Sequence, residues 1–182
     1  DSAHKHVSGA AKYVDDIAVP PNTLQVLLGQ SKFAHAKILS MDLSQVENFP
    51  GVIKVLTAAD IPGINDCSPF AGDDPIFAEN VVSYLGQSVF AVVAEDIKIA
   101  RNAIQLADIR YEELPAVITI DQALETGNVL GPPAVIECGE VDQALEKSKN
   151  KLEGKIILGG QEHFYLEGQA AYAFAGEDTD IV

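Results

Sequence analysis

The stretch "SVFAVVAEDIKIARNAIQLA" (Ser88–Ala107) decides how this chain is read. Its first part, "SVFAVVAED", is a short continuous apolar run rich in β-branched residues, which predicts a strand buried in the core. Asp96 then stands where a helix N-cap belongs. Beyond it Ile97, Ala100, Ile104 and Ala107 fall on one helical stripe, so the spacing predicts a helix to about Ala107. A buried strand leading straight into an amphipathic helix predicts packed α and β layers.

The segments on either side supply more of the same alternation. Upstream, "TLQVLLGQS" (Thr23–Ser31), "AKILSMD" and "VIKVLT" (Val52–Thr57) lean toward strand. Between the last two, "LSQVENF" has helical spacing at Leu43, Val46 and Phe49, and Pro50-Gly51 stops it. Thr57 can cap a single turn through "AADIP". The region from Gly63 to Asn80 is rich in Gly, Pro and Asp and predicts a long loop. Gly86-Gln87 reads as a turn into the buried strand. Downstream, "DIRYEELPAVIT" returns as extended chain. Asp121 is placed to cap the short helix "QALET", which Gly127 ends.

The two ends read differently. The N-terminal segment to Pro21 shows no helical period and is expected to be extended, closing in the turn "VPPN". "GNVLGPPAVIECGE" has the composition of a linker, "VDQALEKSKN" that of a polar helix, and "KLEGKIIL" and "AAYAFAG" those of two strands. The expected core runs from about Gly9 to Leu124, with a boundary near 127–137. The remainder is too short for a domain, so the chain reads as a fragment, or as one whose C-terminal partner is a separate piece.

Composition narrows the function classes. Hydrophobic residues make up 47% of the 182, enough for a real core. Lys and Arg total 12 against 27 Asp and Glu, a net charge of −15. That field repels phosphate backbones and anionic membrane surfaces, which argues against nucleic-acid and membrane partners. No apolar run approaches the roughly 18 residues of a membrane span, and "DSAHKHVSGAAKYVDD" holds no apolar core. Cys67 and Cys138 stand alone, as two reduced thiols of a cytoplasmic protein do.

The familiar chemical motifs are missing: there is no G-x-G-x-x-G, no P-loop and no G-x-S-x-G. The polar cluster in "KIILGGQEHFYLEGQAAYAF" (Lys155–Phe174) is the remaining candidate. His163 and Glu167 are spaced i, i+4, which on a helix can share a metal. The run around them leans toward strand, where about 3.3 Å per residue separates them by well over 10 Å. His4, His6 and His35 lack acidic or sulfur partners at ligand spacing. Gly159-Gly160 is either a bend between strands or a place where a ligand approaches the backbone. Gln161 by pattern is a turn residue, yet its neutral amide both donates and accepts, which suits an oxo or hydroxo ligand.

Five segments occur together and in order: "HVSGAAKYVDDI", "AHAKILSMDLS", "PGVIKVLTAADIPGIND", "YLGQSVFAVVAED" and "GGQEHFYLE". They resemble the molybdenum-binding subunit of bacterial xanthine dehydrogenases, within the wider xanthine dehydrogenase and aldehyde oxidase family. "GGQEHFYLE" and "PGIND" lean toward the xanthine branch. The resemblance implies an α+β fold: an a/b hammerhead domain over residues 1–126, a linker and helix over 127–150, and the start of a molybdopterin-binding domain over 151–182. It implies that Gln161 lies beside the molybdenum and hydrogen-bonds an oxygen ligand. It also implies oxidation of hypoxanthine and xanthine to urate, with oxygen drawn from water and hydride passing to a molybdenum sulfido ligand. Electrons would leave through 2Fe–2S clusters and FAD, held in a partner subunit or in domains absent here, to NAD. The base and the purine-orienting residues of the family lie in segments this chain lacks, so no catalytic residue and no protein metal ligand is expected within it. An aldehyde- or N-heterocycle-oxidising relative, or a non-catalytic assembly module, are the other readings.

Overall fold

The computed structural model describes residues 2–69, 72–129, 131–165, 167–177 and 180–181. Among these the elements run α1 (Ala3–Val7), β1 (Gln25–Gln30), β2 (Ala36–Asp42), α2 (Ser44–Glu47), β3 (Val52–Leu56), β4 (Val81–Val82), β5 (Ser88–Ala94), α3 (Ile97–Ile104), β6 (Asp108–Glu113), α4 (Ile120–Thr126) and α5 (Val141–Lys147). Two 3₁₀ turns, Val14–Asp16 and Ala58–Asp60, complete the inventory. The chain divides into two compact units, Pro20–Leu130 and Asp1–Val19 with Gly131–Val182. None of the helices is long and apolar enough to cross a membrane.

The first unit holds two three-stranded sheets, ordered β1-β5-β3 and β4-β2-β6, and every pairing is antiparallel. This is the expected α+β hammerhead arrangement. β5 lies between its two partners because its sequence tolerates no solvated face. Phe90, Val92 and Ala94 alternate on the pleat with Val89 and Ala91, and both sets are buried. One core joins both sheets: Val55, Val89, Phe90 and Val92 from the first meet Ala36 and Val82 of the second, with Val46 from α2.

α3 covers the first sheet. Asp96 caps it, its carboxylate accepting the Lys98 N–H at 2.6 Å. The expected Ala100, Ile104 and Ala107 all pack into the core, joined by Ile99 and Ala103, and only Ile97 stands outside the cluster. The α-helix also ends earlier than Ala107. The N–H groups of Gln105, Leu106 and Ala107 each donate to the carbonyl three residues back, a tightening that satisfies the last turn.

β1 is an edge strand with a glycine near its end. Gly29 lies opposite Phe90, and a Cβ built on Gly29 would run into the Phe90 ring. The aromatic ring therefore covers the backbone that the glycine leaves bare.

Two long connections are held by buried or bonded side chains. Gly86, at φ 87°, supplies the left-handed residue of the expected turn, and the Gln87 N–H donates to the Tyr84 carbonyl at 3.3 Å. Gln87 is only 3% exposed, and its Oε1 accepts the Ser83 N–H at 2.7 Å. In the 63–80 loop, Asn65 Oδ1 accepts the Phe77 N–H at 3.0 Å while Nδ2 donates to the Phe77 carbonyl at 2.8 Å. The Asp66 carboxylate accepts from the Ser68 hydroxyl at 2.8 Å, the Ser68 N–H at 3.1 Å and the Asp74 N–H at 3.2 Å. These bonds, the Ser68 hydroxyl first, hold the Asp66 carboxyl below its ordinary pKa range.

Several expectations are corrected. The N-terminal stretch is not wholly extended: α1 and the Val14–Asp16 turn occupy it, and neither buries a residue, so no apolar period marks them. The cap of α4 is Thr119, whose Oγ1 accepts the Gln122 N–H at 3.2 Å, and Asp121 falls inside the first turn. Gly127 ends that helix in the left-handed conformation as expected. "KLEGKIIL" and "AAYAFAG" form no strand; the second contributes only an isolated bridge, Ala175 with Ile181. Ile156 and Leu158 are 85% and 84% exposed, and the apolar run that reads as a strand has no strand partner among the described residues. β4, only two residues long, is too short to show an alternating pattern.

This geometry makes two predictions. Gly29→Ala overpacks the Phe90 contact and is expected to cost about 1–3 kcal/mol, seen as a lowered Tm; an unchanged Tm would place the ring elsewhere. Because the Asp66 pKa is lowered by folding, its bonds contribute fully above the ordinary carboxylate range and are lost as pH falls through the lower folded value. Amide exchange at Ser68 and Asp74 should therefore be steadily protected at neutral pH and lose protection in acid, and Asp66→Asn should abolish that dependence.

Candidate functional site

The second unit is built from chain ends far apart in sequence. The Val14–Asp16 turn leaves its leading N–H groups without intrahelical partners. Two carboxylates take them: Asp16 accepts the Tyr13 N–H at 3.0 Å, and Glu167 Oε1 accepts the Val14 N–H at 2.8 Å. Negative charge is favourable at such a terminus. Next to it, a Cβ built on Gly168 would come 3.9 Å from the Asp15 carboxylate.

Residues 155–165 run without helix, strand or turn and are exposed. Among the described residues nothing lies within 4 Å of a Cβ built on Gly159 or Gly160, neither has a left-handed φ, and no bend between paired strands is formed there. Gln161 comes next and is exposed.

His163 and Glu167 have other partners in this structure. The His163 ring stacks on Tyr165 at 5.4 Å between centroids and 14° between planes, across Phe164 at φ 54°. Glu167 is engaged with Val14, and the Glu162 carboxylate accepts the His163 N–H at 3.0 Å. Among the described residues no group of three or more His, Cys, Asp and Glu gathers to hold a metal.

His6 and His35 make contacts within the scaffold. His6 Nδ1 lies 3.0 Å from the Tyr13 hydroxyl. His35 Nδ1 lies 2.7 Å from the Pro115 carbonyl, which can only accept, so this nitrogen carries the proton. The Leu114 N–H donates back to the His35 carbonyl at 2.9 Å. Cys67 and Cys138 are free and exposed. The Cys67 thiol is pushed up first by lost solvation and then by Asp74, whose carbonyl its Sγ approaches at 3.2 Å. A groove of about 530 Å³ in the first unit is lined by His35, Tyr84, Leu85, Pro115 and Val117, with no carboxylate or thiol in its wall. The bonds of Glu167 to Val14 and of His35 to Pro115 span 153 and 80 residues, and nothing local in the sequence announces either.

Comparison with known proteins adds the context. The profile of the aldehyde oxidase and xanthine dehydrogenase a/b hammerhead domain matches residues 8–115, and that of the molybdopterin cofactor-binding domain matches residues 124–182. The chain is 40% identical to xanthine dehydrogenase/oxidase of Gallus gallus over 181 residues, 99% of this chain and 13% of that protein. It is equally 40% identical to aldehyde oxidase 1 of Bos taurus over 183 residues, 99% of this chain and 14% of the other. Among solved structures, quinoline 2-oxidoreductase from Pseudomonas putida 86 superposes with a TM-score of 0.58 at 34% identity, covering 67% of this chain and 16% of that one. The aldehyde oxidoreductase from Desulfovibrio gigas gives 0.59 at 31%, covering 67% and 15%. The chain thus spans only about a seventh of the length of these two curated relatives, and it matches both named branches to the same degree. With the hammerhead profile covering more than half of its length, the chain belongs to the aldehyde oxidase and xanthine dehydrogenase family.

Proposed function

We propose that this chain is part of a molybdenum hydroxylase that oxidises hypoxanthine and xanthine to urate, acting only together with the rest of the molybdopterin-binding region and an iron–sulfur and FAD-bearing partner. In this reading residues 1–126 form the hammerhead domain, 127–150 a linker and helix, and 151–182 the first part of the cofactor-binding domain. Two exposed, unpaired cysteines agree with a cytoplasmic setting. The observation that carries the reading is the Gly159-Gly160-Gln161 segment. Its two glycines meet no neighbour among the described residues, and Gln161 is exposed.

The residues present fit one wall of a molybdopterin site. When bound, the molybdenum cofactor supplies the two-electron redox chemistry. Gly159 and Gly160 leave the backbone free for close approach. Gln161 offers a donor and an acceptor without adding charge, so it can orient a polar ligand whichever way its protons lie. Glu162 and Glu167 are occupied by backbone N–H groups, and neither is assigned the role of base.

Gln161→Ala in the complete enzyme should slow urate formation roughly tenfold or more while assembly and molybdenum content stay intact. An unchanged rate would remove Gln161 from the site. The equal identity to an aldehyde oxidase supports a second reading, oxidation of aldehydes or N-heterocycles on the same scaffold. Turnover of an aldehyde panel with no turnover of hypoxanthine would decide for it, and a complex without molybdenum would leave only an assembly role.

A further inference from the structure

We infer that Glu167 is a positioning residue: its carboxylate clamps the Gln161 segment to the Tyr13–Asp16 turn, which makes the N-terminal stretch a working part of the candidate site. The inference rests on the reading of Gln161 given above. The 2.8 Å bond from the Val14 N–H to Glu167 Oε1 ties residue 14 to a point six positions beyond Gln161. The segment needs such a tie, since residues 155–165 belong to no helix, strand or turn that would fix them. The turn is a firm anchor in its own right. Asp16 closes it onto the Tyr13 N–H at 3.0 Å, and the Asp16 N–H donates to the Tyr13 carbonyl at 3.0 Å. The approach of Gly168 to Asp15 supports the same juxtaposition from the next residue along. A loop whose amide must meet a ligand gains from being held this way, because a misplacement of about 1 Å can cost as much as a hundredfold in rate.

The clamp can be broken from either side. Glu167→Ala removes the acceptor. Val14→Pro removes the donor and keeps Glu167. Proline suits the first position of a helical turn, and Tyr13, at φ −102° and ψ 171°, already has the extended conformation that a residue before proline requires. In the complete enzyme, hydrogen exchange should rise at Val14 in Glu167→Ala and across 159–168 in Val14→Pro. Each variant should lower kcat on the order of tenfold with KM and molybdenum content little changed. The double variant should be no slower than either single one, because both delete the same bond. Glu167→Gln, which keeps an acceptor oxygen, should retain most of the rate.

Unaltered Val14 exchange in Glu167→Ala overturns the clamp. Raised exchange with kcat unchanged, while Gln161→Ala is slow, overturns its positioning role, and so does an additive double variant. If Gln161→Ala is itself silent, it is the reading of Gln161 that has failed, and the exchange data alone then decide the clamp.

Discussion

Phe90, Val92 and Ala94 on one side of β5, and Val89 and Ala91 on the other, all need removal from water, and the rest of the first unit depends on that need. A strand with two apolar faces cannot lie at an edge, so β1 and β3 flank it. Its layers must then be covered, and α3 does so through Ala100 and Ala103, whose small side chains let the helix backbone come close. Gly29 makes a similar concession on the neighbouring strand by yielding its side-chain volume to the Phe90 ring. The second sheet enters the same core through Ala36 and Val82, so the two small sheets share one hydrophobic centre.

Around this core, connections are fixed by side chains that satisfy backbone groups. Asn65 pairs with both polar groups of Phe77 as a neighbouring strand would, and Gln87 turns its amide inward to hold Ser83. In both units, acids take N–H groups that no helix or sheet claims: Asp66 and Asp96 in the first, Glu167 in the second. Some of the acids behind the net charge of −15 thus serve as acceptors in local structure.

What can be read from the residues is local and periodic. β5, the Asp96 cap, the Gly127 stop and the turn at Gly86 each depend on a few adjacent residues, and each is where the pattern puts it. Thr119 and Asp121 lie two positions apart and both are good caps, so only coordinates can choose between them. α1 buries nothing and therefore carries no period. The 155–158 run has the composition of a strand, but a strand exists only with a partner, and none is found among the described residues. For the candidate site, resemblance rather than pattern points to Gln161, whereas the engagement of Glu167 with Val14 depends on folding across 153 residues and leaves no trace in spacing.

The bond from His35 to Pro115 ends on a backbone carbonyl, an acceptor that does not titrate. The turns closed by Asp60 and Asp66 depend on charged acceptors, and a carboxylate accepts less strongly once protonated. The first unit therefore fastens its connections with two kinds of acceptor, backbone carbonyl and carboxylate, and acidification should loosen the 63–80 loop through the second kind.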